Sequence, residues 1–461
     1  MPAASTVSVQ EFDVVVVGAG STGEVCAGRL ADGGLAVAIV EDHLVGGECS
    51  YYACMPSKAL LRPGELLAEV ARVPGAAERL ESTDPDAKAT FQRRDEVVSN
   101  RDDSGQLPWL EKKDIALFRG KARLTGEREL SVDGEDLRAR KAVVIATGSQ
   151  AAIPPIEGLP EAEPWTNREA TSAEEAPATL VVLGGGAVGC ELAQAYASLG
   201  SEVTLITDGD RLIARMEPFA GEEVLAGLRD HGVEVRLEVE AKRVTRGERI
   251  RVELADDDAV EADQLLVAAG RRARTKDIGL ESVGVEVDGY LEVDDHMRVG
   301  GRDWLYAVGD VNGRALLTHM GKYQAWVCGE HVLGNRDAAV RDLGGPPQVL
   351  FTDPQVAGVG HTLASAREAG IDAREVDVET SLTAGASFVG RNTKGTTRVV
   401  VDESRGVIVG ATFVGPEVAE WLHAATIAVV GAVPLTQLRH AVAAYPTRSE
   451  VWLKLLEAYG L

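Results

Sequence analysis

The chain has 461 residues with 47 Lys+Arg against 72 Asp+Glu, a formal net charge of −25 that disfavours nucleic acid or an anionic membrane as the main partner. Five cysteines exclude a disulfide scaffold, and no apolar run reaches the ~18 residues of a membrane span. The first ten residues, without a basic start or an apolar stretch, do not read as a signal peptide, so a cytoplasmic setting is expected for a chain long enough for about three domains.

The first strong signal is Glu11-Phe-Asp-Val-Val-Val-Val-Gly-Ala-Gly-Ser-Thr-Gly23. The β-branched run Val14–Val17 predicts a buried parallel strand that runs straight into Gly18-x-Gly20-x-x-Gly23 and then a helix. A second strand over Val37–Val40 ends at Glu41, 23 positions after Gly18. An acidic residue about 20 positions beyond such a loop meets a ribose. Gly46 and Gly47 follow, allowing close backbone approach, then Cys49 and Cys54. Four residues separate the cysteines, which fits one helical turn with the sulfurs within bridging reach. Lys58, four positions after Cys54, lies on the same helical face and favours a thiolate. The alternative is a structural disulfide or an unrelated thiol pair.

Residues 74–104 read as polar helix and loop, and Ile115–Ile145 alternates as a small β-meander. Ala151–Pro160 is a Pro/Gly-rich crossover. The opening grammar then returns in Thr179-Leu-Val-Val-Leu-Gly-Gly-Gly-Ala-Val-Gly189, with Gly184, Gly186 and Gly189 as the fingerprint and a strand over Glu202–Ile206. Two strand–glycine loop–helix–strand units predict two dinucleotide sites, against the alternative of two tight βα turns. Gly344-Gly-Pro-Pro347 marks a further boundary. Cys26, Cys190 and Cys328 fall in helical stretches and read as buried structural thiols.

These motifs continue in order with Ala146-Thr147-Gly148-Ser149, Ala269-Gly270-Arg271, Tyr306-Ala-Val-Gly309-Asp310, Phe351-Thr-Asp-Pro-Gln-Val-Ala-Gly-Val-Gly360 and Tyr445-Pro-Thr-Arg-Ser-Glu450. Together they resemble the class I pyridine nucleotide-disulfide oxidoreductases, the group that holds dihydrolipoyl dehydrogenase, glutathione reductase and mercuric reductase. The resemblance implies an α/β fold with two Rossmann-like domains, for FAD and NAD(P), and a C-terminal α+β dimerisation domain. Residues 1–150 and 271–345 would form the FAD and central parts, 151–270 the NAD(P) domain and 346–461 the interface domain. It implies that Gly18, Gly20 and Gly23 hold the FAD pyrophosphate and Glu41 the adenosine ribose. Gly47, Thr147, Gly148, Gly309, Asp310 and His319 would complete the flavin site. Gly184, Gly186, Gly189, Asp208, Gly270 and Arg271 would serve nucleotide binding. Cys54 would lie against the flavin as the charge-transfer thiolate, Cys49 would meet substrate, and Lys58 would pair with Glu191 near the flavin's reactive edge. A homodimer with a shared active site and no metal follows from the same resemblance.

Two details refine it. Thr207 occupies the position where NAD-using members carry an acid, Asp208 follows, and no Arg stands at the strand tip. Asp208 would repel a 2′-phosphate, so NADH is favoured over NADPH. The C-terminal signature of thiol-processing members has His before the Pro, relaying protons to the substrate dithiol from the partner subunit. Here Tyr445 stands in that slot and Glu450 is kept. A Tyr, with a pKa near ~10, is a poor general base at neutral pH, although its hydroxyl can orient a substrate, and His440 reads as a surface residue. No Cys follows Cys328, which disfavours mercuric reduction. Tyr51 and Tyr52 in the cysteine loop either narrow the approach or simply pack. The leading expectation is a Cys49–Cys54 disulfide oxidoreductase. The alternatives are a flavin-centred reductase of quinones, dyes or oxygen, a dithiol oxidase of a tailoring pathway, and a non-catalytic flavoprotein subunit, against which Cys49, Cys54, Lys58 and Glu191 argue.

Overall fold

The computed structural model describes residues 9–461; the segment weighed above against a signal peptide lies outside the described residues through Ser8. The chain weaves between two compact units. One comprises the chain up to Pro56, Asp95–Ala151 and Arg271–Arg341; the other comprises Ser57–Arg94, Ala152–Gly270 and Asp342–Leu461.

In the first unit, strand β1 (Gln10–Val17) lies at the centre of a largely parallel sheet. It pairs with β2 (Val37–Glu41) on one side and with Glu135–Ile145 on the other. The valines of β1 divide by parity: Val15 and Val17 enter one core, Val14 and Val16 the other. A strand buried on both faces needs a continuous apolar run, which is why this one carries four consecutive valines. Helix α1 (Ser21–Asp32) follows β1 and packs against the helix Thr318–Val332. Glycines permit the approach. A Cβ on Gly321 would fall 2.3 Å from Thr22 Oγ1, and one on Gly33 would fall 2.3 Å from a Leu333 methyl.

The stretch Ile115–Ile145 departs from the meander expected of it. Ile115–Arg119 pairs in parallel outside β2. Only Ala122–Gly126, Glu129–Val132 and the start of Glu135–Ile145 form an antiparallel ladder. The same last strand runs parallel to β1 along its other edge. Alternation reports which face a side chain takes, not the direction of the neighbouring strand.

The second unit contains a four-stranded parallel sheet ordered Glu234–Arg236, Glu202–Ile206, Thr179–Leu183, Gln264–Val267. The helix Ala187–Ser198 covers it, burying Cys190 through Tyr196 without a break. Leu60 and Leu61 join that core. A separate five-stranded antiparallel sheet carries Val407–Gly415, all nine residues buried, in its interior. The helices Leu422–Val430 and Val451–Tyr459 pack on it around Phe413 and Trp421. No helix among the described residues is long and apolar enough to cross a membrane.

Candidate active site

The two glycine fingerprints form the same turn twice. Gly18 has φ +105° and a Cβ there would lie 2.4 Å from the Ala146 carbonyl oxygen; Gly184 has φ +120° and would meet Ala268 O at 2.5 Å. A Cβ on Gly23 or on Gly189 would sit 1.9 Å from the carbonyl of Gly18 or Gly184. Only glycine fits these places. Gly20 and Gly186 then cap 12-residue helices with no side-chain hydrogen bond, leaving first-turn N–H groups to a ligand. Uncapped amides and the positive end of the helix dipole suit a pyrophosphate. The residues present therefore fit two dinucleotides.

Around the first loop the surroundings are specific. Glu41 Oε2 accepts from Ala19 N at 2.7 Å and Oε1 accepts from His43 N at 2.9 Å. Burial pushes the Glu41 carboxyl up, and these two amides oppose it. Gly47 has φ +65°, and a Cβ on it would come 2.7 Å from Gly20 Cα, so the segment leading to Cys49 lies directly against the loop. Ser149 Oγ donates to Asp310 Oδ2 at 2.5 Å and accepts from Arg271 Nε at 2.6 Å. Thr147 Oγ1 donates to Arg274 O, Gly148 has φ +72°, Gly270 has φ +120°, and Gly309 N donates to Gln324 Oε1. His319 is exposed in the first turn of Thr318–Val332.

The cysteines do not share a single helical turn. Cys49 lies in α2 (Gly47–Tyr51), Cys54 opens α3 (Cys54–Arg72), and Tyr52 and Ala53 break the helix between them. Cys49 and Cys54 are thiols rather than a disulfide in this structure, on two helices rather than one turn. The two thiols are hydrogen-bonded to each other, and Cys54 Sγ lies 3.4 Å from Thr318 Oγ1. The hydrogen bond to Cys54 pushes the Cys49 thiol up, and burial and charge on Cys54 add to this; Thr318 and the Lys322 ammonium pull the other way. The pair thus resists carrying two negative charges at once. Tyr51 is buried with its hydroxyl on Val45 O, so it packs. Tyr52 stacks on His43, hydroxyl to Nε2 at 3.1 Å.

In the second unit, further along α3, Lys58 Nζ meets Glu191 Oε2 at 2.7 Å. Glu191 is 5% exposed and its other oxygen accepts from Phe351 N at 3.0 Å, while the Lys58 ammonium lies 4.9 Å from the Phe351 ring centroid. Asp208 is exposed just past the strand Glu202–Ile206, and Thr207 Oγ1 accepts from Gly209 N. Tyr445 is 79% exposed. It does not reach the buried Glu450 Oε2, which finds no hydrogen-bond partner among the described residues. No cluster of three or more His, Cys, Asp or Glu suited to a metal occurs among the described residues. Thr318, Lys322 and Glu24 were not singled out by the sequence. Thr318 is 264 positions from Cys54, and no local pattern signals such a contact.

Comparisons with known proteins converge on one group. Residues 12–329 match the model of the pyridine nucleotide-disulphide oxidoreductases, and residues 346–456 match the dimerisation domain of the same group. A dihydrolipoyl dehydrogenase of Thermus scotoductus is 34% identical over 98% of each chain, and one of Chlamydia muridarum is 30% identical over 96% of each. A mercuric reductase of Acidithiobacillus ferrooxidans is 31% identical over 97% of this chain and 82% of the relative. Among solved structures, the HOCl-induced flavoprotein disulfide reductase RclA from Escherichia coli, as its Cu(II) complex, superposes with a TM-score of 0.86. It is 25% identical, over 97% of this chain and 99% of that one.

Proposed function

The chain belongs to the pyridine nucleotide-disulphide oxidoreductases, FAD-dependent enzymes that use NAD(P)H, and from that premise we propose that Cys49 and Cys54 are the couple through which it exchanges an electron pair with a thiol or disulfide substrate. The observation that carries this reading is the mutual hydrogen bond of the two thiols on a segment pressed against the first glycine loop. FAD, when bound, supplies a two-electron carrier between a nicotinamide and a disulfide.

The chain's own groups take the remaining tasks. Gly18, Gly20, Gly23, Glu41, Gly47, Thr147, Gly148, Gly309, Asp310 and His319 would hold FAD. Gly184, Gly186, Gly189 and Asp208 would serve the nicotinamide nucleotide, with NADH preferred because Asp208 stands where a 2′-phosphate would need a cation, and Gly270 and Arg271 would help to bind a cofactor. Residues 1–150 and 271–345 would be the FAD and central parts, 151–270 the NAD(P) domain and 346–461 the interface. Cys54 carries the thiolate and Cys49 keeps the proton and faces substrate. Lys58 and Glu191, paired at 2.7 Å, would act as one ion pair toward the flavin, as the resemblance implies. The balance is NAD(P)H, a proton and a disulfide giving NAD(P)⁺ and a dithiol, in either direction. A cytoplasmic homodimer is the setting, each subunit lending Tyr445 and Glu450 to the other's site. Stopped-flow reduction with NADH and with NADPH, followed by a panel of disulfides, quinones and metal ions, tests it. Cys49→Ser is expected to abolish disulfide turnover, and full turnover by that variant would refute the couple.

One observation favours a second reading. The His slot holds an exposed Tyr445, and the buried oxygen of Glu450 has no hydrogen-bond partner among the described residues. A reductase of quinones, dyes or oxygen, working at the flavin, would not need that His. Quinone turnover that survives blocking of both thiols would establish it, and so set aside a thiol or disulfide substrate.

A further inference from the structure

Two charged side chains, Lys322 and Glu24, have no role in the proposed function. Lys322 lies one helical turn after Thr318 in Thr318–Val332, and Thr318 Oγ1 is 3.4 Å from Cys54 Sγ. Residues four apart share a helix face, so the face bearing Lys322 is turned toward the sulfur pair. Glu24 lies in the first turn of α1, two residues after Thr22, whose hydroxyl abuts Gly321 in the same close helix contact. The Lys322 charge acts on both Cys49 and Glu24.

We propose that Lys322 is the positioning cation of the outward thiol Cys49, and that Glu24 governs how much of its field reaches the sulfur. The inference rests on the reading of Cys49 as the substrate-facing thiol. Once Cys54 is anionic, a second negative charge beside it is opposed, and an offsetting cation is needed for Cys49 to act as a nucleophile. In thiol-processing relatives the resemblance assigns proton handling to a His of the partner; here that slot is Tyr445, and the compensating charge comes from the same chain. Cys49 faces Cys54, Thr318 and Lys322, and the neighbouring Glu48 is engaged by Arg274 at 3.4 Å. Glu24 faces Lys322, Glu41 and Tyr51. Burial first, then the Glu41 charge, push Glu24 up to about 7 against the pull of Lys322. Glu24 therefore changes charge near neutral pH. Neutral, it leaves the field of Lys322 whole; ionised, it offsets part of it. Cys49 should then gain reactivity with pH less steeply than an isolated thiol.

The test uses the FAD-loaded enzyme, reduced with dithiothreitol and labelled with iodoacetamide over about pH 6 to 9.5, with Cys49 read by peptide mass spectrometry. Lys322→Met is expected to slow Cys49 labelling at neutral pH by about threefold to tenfold and to move its profile to higher pH. Lys322→Arg should keep the native profile, and Glu24→Gln should move it to lower pH. Superposed native, Lys322→Met and Lys322→Arg profiles would overturn the proposal, as would a Glu24→Gln shift in the same direction as Lys322→Met. Should Lys322→Met lose its flavin, Glu24→Gln decides alone, and an unmoved profile sinks the proposal. Because no nicotinamide or substrate takes part, failure here leaves the proposed function standing. A native Cys49 that never labels while Cys54 does would instead overturn the assignment of Cys49 as the outward thiol.

Discussion

Glu191 is the most deeply buried carboxylate of the candidate site, and its two oxygens are engaged by Lys58 and by the Phe351 amide. Removing the cation leaves a buried charge with one neutral donor. Breaking a fully buried pair costs about 3–5 kcal/mol, and the partial exposure of Lys58 reduces that. Lys58→Met is therefore expected to lose about 2 kcal/mol in urea unfolding, with part regained in the Lys58→Met/Glu191→Leu double variant. Glu24 gives a pH signature. Its carboxyl, raised from 4.5 to about 7, binds protons in the native state that the unfolded chain has already released across that window. Stability should thus fall as pH rises through it. Glu24→Gln is expected to raise the thermal midpoint clearly at about pH 8 and little at about pH 5, as read by calorimetry. The cysteine pair and Lys58 were legible because the residues that define them lie within ten positions of one another. Thr318 was not, since 264 positions separate it from Cys54 and only tertiary packing brings the two together.

At the scale of elements, the glycine turns are the firmest sequence-level reading and the easiest to break. Gly23→Ala would place a methyl 1.9 Å from Gly18 O, and Gly189→Ala would do the same at Gly184 O. Each forces its own turn open. Gly23→Ala is expected to purify with little flavin. Gly189→Ala should keep its flavin and its 450 nm band yet bind NADH at least about tenfold more weakly in equilibrium titration. The departures from expectation are also elemental. The cysteines fall on two helices, α2 and α3, rather than one because Tyr51 turns inward to bond Val45 O and Tyr52 turns to stack on His43. These are contacts outside the loop's own window. Glu135–Ile145 takes part both in the antiparallel ladder with Glu129–Val132 and in the parallel pairing with β1, so pairing direction had to come from the assembled sheet.

At the scale of the molecule, apolar side chains remain uncovered on the C-terminal segment matched by the dimerisation domain. Phe388 is 72% and Val442 88% exposed, with Leu382, Ile427 and Val430 also open. Uncovered apolar surface of this kind is typical of an interface between subunits. Ile427→Asp with Val442→Asp is expected to give a monomer by sedimentation that keeps its FAD but loses disulfide turnover; an unchanged dimer would contradict that placement. Short-range order, the spacing of glycines, cysteines and β-branched runs, sufficed for the α/β class, the duplicated nucleotide turns and the sulfur couple, because steric rules for a turn or a buried strand act over a few residues. Which groups surround the two thiols and how the strands are directed were decided by folding. Burial and electrostatic fields arise from groups hundreds of positions apart in the chain, and no local window contains them.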